Sequence, residues 1–103
     1  MIDSVEVIYE KLSTGIYQNY PNPFNTKTAI KFAISEPNDV ELQIYNSLGQ
    51  LVRTFKNRYD QAGIYRIVWN GKNESGQAVA SGIYYLKLKV NDLEKTKQMI
   101  LVK

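Results

Sequence analysis

The sequence predicts an all-β protein, an antiparallel β-sandwich of immunoglobulin type with about seven strands. Apolar and polar residues alternate with a period of two over most of the chain, and no window keeps a period of about 3.6 residues long enough for a helix. Turn-forming residues recur about every 8–12 residues, as they do in sandwiches. The 103 residues also include eight Tyr, three Phe and one Trp, which favour strands. A small barrel is the alternative architecture.

The N-terminal stretch, residues 1–18, is interpreted as a linker or first strand ahead of a folded domain over residues 19–103. Val5, Val7 and Tyr9 alternate with their neighbours, which is typical of a short strand. An irregular, fairly rigid turn is expected over residues 20–25.

The reason for that turn is the pair Pro21 and Pro23, since proline lacks the N–H that a strand ladder needs and restricts the residue before it. Residues 28–34 then predict a strand. Its large apolar side chains share one face, and they are Ile30, Phe32 and Ile34.

A turn at residues 36–39 and a hairpin over residues 40–56 follow. The inward set of the hairpin's first strand is Val40, Leu42 and Ile44. The chain reverses at residues 46–49, where Gly49 is available for positive φ. A polar loop is expected over residues 57–62.

The second half of the chain predicts three more strands. Tyr65, Ile67 and Trp69 form one inward set, and a polar loop follows at residues 71–76. Residues 77–80 are a candidate short strand. The next inward set is Tyr84, Leu86, Leu88 and Val90. A two-residue turn, Asn91-Asp92, leads to a last strand over residues 95–102 that becomes apolar on both faces.

Composition narrows the possible functions. The net charge of +3 comes from scattered Lys and Arg, which indicates solvated strand faces and no nucleic-acid surface. Without Cys or His the chain lacks thiol chemistry, disulfides, most zinc sites and the usual general base, so we expect neither an enzyme nor a cofactor. No stretch reaches the about 18 apolar residues of a transmembrane segment, and no signal peptide is evident.

Two groups of side chains are candidate ligand sites. Asn70, Asn73 and Glu74 offer oxygen ligands in a Gly-containing loop, as calcium loops do, although a plain turn is favoured. Tyr45, Tyr59 and Tyr85 are expected to point outward, where they would stack on sugars; cross-strand packing is the favoured interpretation.

Five ordered motifs carry a family resemblance. They occupy residues 17–25 (YQNYPNPFN), 40–53, 62–71, 76–85 and 97–103 (KQMILVK). In this order they resemble the C-terminal sorting domains, or Por secretion tails, of the type IX secretion system of Bacteroidetes. The part from Trp69 to Tyr84 is also similar to the immunoglobulin-like domain of flagellar hook-capping proteins. Asn70 and Thr26 depart from the residues common at these places, Asp and Pro.

The resemblance implies a non-catalytic module that directs attached upstream cargo across the outer membrane to the cell surface or beyond. Its implied partners are the secretion translocon, a sortase-like peptidase and the covalently linked cargo. We expect translocon recognition on the final strand, by strand addition at the sandwich edge. The recognition residues expected there are Lys95, Lys97, Met99, Ile100, Leu101, Val102 and Lys103. The residues expected to form the structural motif are Pro21, Asn22, Pro23, Phe24, Asn25, Trp69, Gly71, Gly76, Gly82 and Tyr84.

The alternative function is a carbohydrate-binding or structural immunoglobulin-like accessory module of a secreted multidomain enzyme. One geometric question also stays open. Either Met99 and Leu101 face the core while Ile100 and Val102 meet a partner, or the reverse holds.

Overall fold

The computed structural model describes residues 13–103, which contain seven β-strands and no helix. The strand suggested at Val5, Val7 and Tyr9, and most of the 1–18 linker, lie outside the described residues. The strands are β1 Gly15–Ile16, β2 Thr28–Ile34, β3 Asn38–Asn46, β4 Leu51–Tyr59, β5 Gly63–Trp69, β6 Gly82–Val90 and β7 Leu93–Leu101.

The strands form two antiparallel sheets. The small sheet has the order β1-β2-β5, and the large sheet has the order β4-β3-β6-β7. The small sheet packs its inner face on the large one, with side chains from both sheets in one core. This arrangement confirms the predicted immunoglobulin-like sandwich, with β7 at one edge of the large sheet.

Two-residue alternation decides which side chains enter the core. The apolar positions predicted to face inward on β2, β3 and β6 are buried, and Trp69 at the end of β5 is fully buried. Full burial of such side chains stabilises the fold by about 1.5–3 kcal/mol each. The buried cluster is Phe24, Ile30, Phe32, Ile34, Val40, Leu42, Ile44, Val52, Trp69, Tyr84, Leu86, Leu88, Val90, Met99 and Leu101.

Both tight turns form where the sequence predicts them. Gly49 has a φ of 80° in the β3–β4 turn, and Asn91 has a φ of 54° in the β6–β7 turn. Asn and Gly are the residues that adopt this left-handed region most readily.

The structure differs from the prediction at residues 57–59 and at residues 77–80. Residues 57–59 continue β4 instead of starting a loop, because they pair with Val40, Asp39 and Asn38 of β3. Residues 77–80 form no strand, and Ala78 makes only an isolated bridge with Lys72.

The first of these errors misplaces Tyr59. Its ring lies 5.5 Å from that of Phe32 and 4.2 Å from that of Tyr65, so it packs against the core instead of pointing outward.

The sandwich has two distinct ends. At the entry end, Thr14 lies beside Ser35, Asn38 and Asn91 around a small cavity. At the opposite, terminal end, Val102 and Lys103 lie against Phe24 and Ser81. The described chain therefore enters at one end and finishes at the other.

Stability is predicted to fall in alkaline solution. Burial raises the pKa of Tyr84, whose hydroxyl donates to the Ala80 carbonyl. Burial also raises the pKa of Tyr59. A side-chain hydrogen bond with Asn57 lowers this pKa by a smaller amount, and the electrostatic interaction with Tyr65 raises it by a smaller amount. A raised phenol pKa means that folding favours the neutral form. Its contribution is therefore complete below the unfolded value of about 10 and is lost as pH rises through the folded pKa.

The measurement is urea unfolding between about pH 7 and pH 11. The Tyr59→Phe/Tyr84→Phe variant should lose about 1 kcal/mol at neutral pH, from the Tyr84 hydrogen bond. It should also show a shallower alkaline decline than the parent. An identical decline in both proteins would contradict this account.

Candidate functional site

Residues 20–25, which we call the clasp, hydrogen-bond to both sheets. Tyr20 exchanges two backbone hydrogen bonds with Ala29 of β2, at 3.0 and 2.8 Å. Phe24 then makes a parallel bridge to the end of β7. Its N–H donates to the Ile100 carbonyl at 2.9 Å, and its carbonyl accepts from the Val102 N–H at 2.8 Å.

A buried polar network fixes the start of the clasp. Asn19 is 2% exposed and Thr28 is 1% exposed. The Asn19 Nδ2 donates to the Thr28 hydroxyl at 2.9 Å and to the Pro21 carbonyl at 3.1 Å. The Thr28 hydroxyl donates to that same carbonyl at 2.8 Å. Each of these buried groups thus has a partner, which buried polar atoms require.

Asn22 contributes the side-chain contact to β7. Its Oδ1 accepts from the Ile100 N–H at 2.9 Å. The peptide bonds before Pro21 and Pro23 are cis. Asn25 is exposed. Among the described residues, its side chain makes one hydrogen bond, which its Oδ1 accepts from the neighbouring Thr26 hydroxyl.

An aromatic cluster lies beneath the clasp. The ring of Trp69 is 5.5 Å from Phe24 and 5.4 Å from Tyr84, both in tilted or edge geometry. The Trp69 Nε1 donates to the Lys72 carbonyl at 2.9 Å. Such pairs add about 0.5–1.5 kcal/mol each beyond area burial. The cluster joins β5, β6 and the clasp at the terminal end.

Gly71 allows the next loop to approach the residue that directly follows the clasp. Its φ is 71°, and a Cβ there would meet the Thr26 carbonyl oxygen at 3.4 Å. Of the other predicted motif glycines, Gly76 lies in the same loop and Gly82 begins β6.

The outer edge of β7 is half closed by these contacts. The Ile100 N–H and carbonyl and the Val102 N–H are bonded to the clasp. The Gln98 carbonyl accepts from the Gln18 Nε2 at 2.9 Å. A partner strand therefore cannot pair with the backbone edge at Ile100 and Val102 unless the clasp leaves.

The N-terminal half of β7 carries two lysines on its inward side. Lys95 pairs across the ladder with Leu88, and Lys97 pairs with Leu86. Both lie in an open seam beside β1. Inward-pointing charges on an edge strand oppose uncontrolled edge pairing.

The end of β7 separates into buried and accessible side chains. Met99 and Leu101 are 0% and 1% exposed, which answers the open question in favour of their facing the core. Ile100 is partly buried, and Val102 and Lys103 are exposed. Of the recognition residues predicted from position 99 onward, only these three have side chains that another molecule could reach.

Two of these residues belong to an exposed apolar surface that we call the terminal patch. It is made of Ile83, Tyr85, Ile100 and Val102. Ile83 pairs with Ile100 across the ladder, and Ile83, Tyr85 and Val102 are 41%, 39% and 52% exposed. The other half of this face carries a ladder of ion pairs with N–O distances of 3.6 to 4.0 Å. The members of this ladder are Glu41, Lys56, Lys87, Lys89 and Glu94.

Two of the three candidate cation ligands, Asn73 and Glu74, already hydrogen-bond to other groups of the protein. The Asn73 Oδ1 accepts from the N–H groups of Ser75 and Gln77, both at 3.0 Å. The Glu74 Oε1 accepts from the Thr54 N–H at 2.6 Å and lies 3.6 Å from the Arg53 Nε. Residues 13–103 hold no group of three or more His, Cys, Asp or Glu placed to bind a metal.

The tyrosines divide differently from the sequence expectation. Tyr45 and Tyr85 are cross-strand neighbours on the outer face of the large sheet. The sequence reasoning missed Tyr17 and Tyr20, which are 44% and 80% exposed. Alternation could not have found both, because Tyr17 lies two residues before the buried Asn19 and Tyr20 lies one residue after it.

The comparisons with known proteins agree with this fold. The model of the FlgD Ig-like domain family matches residues 22–94. PorU from Porphyromonas gingivalis superposes with a TM-score of 0.75 at 20% identity, over 88% of this chain and 9% of PorU. PorZ of that organism is an essential bacterial surface component of the type-IX secretion system. It superposes with a TM-score of 0.61 at 20% identity, over 86% of this chain and 12% of PorZ.

FlgD from Xanthomonas campestris superposes with a TM-score of 0.62 at 16% identity, over 95% of this chain and 74% of FlgD. At these identities the solved structures share the fold, and the chain spans only a small part of PorU and PorZ. No curated protein matches the chain. Within the described part of the chain, no helix is long and apolar enough to cross a membrane.

The Asn19 network is predicted to hold the clasp in place. Asn19→Ala removes the two hydrogen bonds that the Asn19 Nδ2 donates and the one that its Oδ1 accepts from the Gln18 Nε2. It should cost about 1–3 kcal/mol in the free energy of unfolding. The control is Asn25→Ala, an exposed change in the same segment, which should stay within about 0.5 kcal/mol of the parent. Urea unfolding of the three proteins measures the difference, and equal losses in both variants would contradict the assigned role.

Proposed function

This chain belongs to the FlgD Ig-like domain family, and from that premise we propose that it is a non-catalytic sorting domain of the type IX secretion system. In this role it directs an attached cargo protein across the outer membrane. The ordered motifs of residues 17–103 and the shared fold with parts of PorU and PorZ support this proposal.

The observation that carries the proposal is the way the clasp holds the end of β7. The motif segment that resembles sorting domains bonds directly to Ile100 and Val102. It thereby fixes the terminal patch and Lys103 in one geometry. A fixed, exposed apolar surface with a cation at its rim is suited to recognition by another protein.

The two ends of the sandwich suit a sorting role. The described chain enters beside Asn38 and Asn91, whereas the terminal patch lies at the far end. Cargo attached upstream would therefore leave the patch accessible. The sortase-like peptidase would act near the entry end, and the translocon would bind the terminal end.

Recognition is proposed to use side chains instead of strand addition at this end. The edge groups of Ile100 and Val102 are already bonded, so their side chains and Lys103 are what a partner contacts. Met99 and Leu101 act indirectly, by anchoring β7 in the core. Lys95 and Lys97 oppose pairing of other strands with the open, N-terminal half of the β7 edge.

A carbohydrate-binding accessory module is the second candidate function. The favouring observation is the cross-strand pair Tyr45 and Tyr85 on one outer face, beside an open depression that also contains Asn46. Aromatic rings on a flat sheet can stack on sugars. Tyr59 has no part in such a site, because it packs on Phe32.

Export of a reporter fused to residues 1–103 tests the sorting proposal, in a bacterium that has this secretion system. The fusion should reach the medium or cell surface. Ile83→Ser/Val102→Ser should lower the exported fraction about fivefold or more, since two interface anchors are removed. The matched control is Leu48→Ser/Leu51→Ser, which removes two exposed apolar side chains at the same end but at the other edge of the sheet.

Thermal unfolding of both double variants shows whether they stay folded. Short truncations are unsuitable, because removing residues 97–103 would delete the core residues Met99 and Leu101. If the unchanged fusion is not exported, the sorting function is wrong. If it is exported and the Ile83/Val102 variant is exported equally well, the terminal patch is wrong.

Glycan binding tests the second candidate. Isothermal titration of residues 1–103 with soluble polysaccharides should show binding that Tyr85→Ala weakens about fivefold or more and Tyr59→Phe leaves unchanged. Absence of binding, or binding insensitive to Tyr85→Ala, would remove this candidate.

A further inference from the structure

The outer face of the small sheet consists of three cross-strand rows. Gly15, Ala33 and Ile64 form the first row, at the entry end. Lys31 and Arg66 form the second, and the Tyr17 ring joins it with its centroid 5.2 Å from the Lys31 Nζ. Tyr20, Ala29 and Val68 form the third. We call this surface the tyrosine–cation face.

Its centre is shallow and its rim is tall. The central strand β2 carries the small side chains of Ala29, which is half-buried, and Ala33, which is 2% exposed, while the flanking positions carry long side chains. Tyr17, Tyr20, Ile64 and Val68 are 44%, 80%, 51% and 51% exposed. An open depression of about 430 Å³ lies between the tyrosines and β5. A contiguous group of large, half-exposed apolar side chains on a soluble domain marks an interaction site.

The charges of the face are unbalanced. Lys31 lies directly opposite Arg66 in the ladder, and like charges at directly opposed positions destabilise a sheet. No ion pair among residues 13–103 includes either of them, and β1, β2 and β5 contain no acidic residue. On the large sheet, by contrast, Glu41 lies between Lys56 and Lys89.

The fold itself does not account for the two tyrosines. The buried side chain of Asn19 and the backbone hydrogen bonds of Tyr20 hold this segment against β2. The Tyr20 side chain is 80% exposed, so its ring adds little to the core. Rigid aromatic groups next to cations are typical anchors of protein interfaces.

We propose that the tyrosine–cation face binds an acidic protein segment that also carries apolar side chains. Carboxylates of that segment pair with Lys31 and Arg66, and its apolar side chains cover Tyr20 and Val68. A second copy of this chain is disfavoured, because face-to-face pairing would bring the cations of both copies together. A glycan is disfavoured because Ile64 and Val68 offer it no hydrogen bonds. The surface lies on the opposite sheet from the terminal patch, so the inference goes beyond the proposed sorting function.

The test uses residues 1–103 and a fluorescently labelled random copolymer of glutamate and tyrosine as the probe. Fluorescence anisotropy should show binding that weakens as salt increases, since exposed charges are screened. Lys31→Gln/Arg66→Gln and Tyr17→Ser/Tyr20→Ser should each weaken binding about fivefold or more. The control is Lys56→Gln/Lys89→Gln, which lowers the net charge equally and should change binding less than about twofold.

Stability separates this role from a structural one. Removing the opposed like charges in Lys31→Gln/Arg66→Gln should leave the melting temperature unchanged or raise it, while binding falls. Equal weakening by the control pair would show non-specific attraction and overturn the proposal.

Three other outcomes would also overturn it. One is stronger binding of polygalacturonate, an anionic glycan, than of the copolymer. Another is concentration-dependent dimerisation in sedimentation that Lys31→Gln/Arg66→Gln abolishes. The third is copolymer binding that appears only after residues 1–12 are removed, which would make this chain's own N-terminal segment the occupant.

Discussion

The parallel bridge between Phe24 and the end of β7 is the contact on which the terminal end depends. It joins residues more than 70 positions apart and ties a segment that begins on the small sheet to the edge of the large one. The Trp69 cluster lies beneath it, and the Asn19 network fixes its approach. Without this bridge the last strand would keep only β6 as a ladder partner, and its outer edge would be open to other chains.

Local chemistry made most of the fold predictable. Alternation identified the inward faces of β2, β3 and β6, and glycine or asparagine marked the turns at Gly49 and Asn91. What the sequence could not predict was the register of the pairing between β3 and β4. The length of β4 depends on how far β3 extends toward Asn38, which a polar sequence such as residues 57–59 does not reveal. Tyr59 was misplaced for that reason alone.

The geometry of the candidate site was not predictable from the sequence. Sequence pattern brought together the clasp and the last strand, yet it could not show that Phe24 occupies the very edge proposed for strand addition. Nor could it show that Tyr17 and Tyr20 share a face with Lys31, because that depends on β1 and the clasp lying beside β2. Pairings of high sequence separation set both results, and single-sequence periodicity carries no information about them.

The terminal patch exists only in a folded domain. Ile83 comes from β6 and Ile100 from β7, so their side chains meet only when the ladder has formed. In an extended peptide of residues 97–103, Met99 and Leu101 would be as exposed as Ile100, and nothing would distinguish the two sets. Recognition of the patch would therefore select the folded state, in which the core has withdrawn Met99 and Leu101 and the clasp has closed the edge. A short linear signal of the same residues would lack that property.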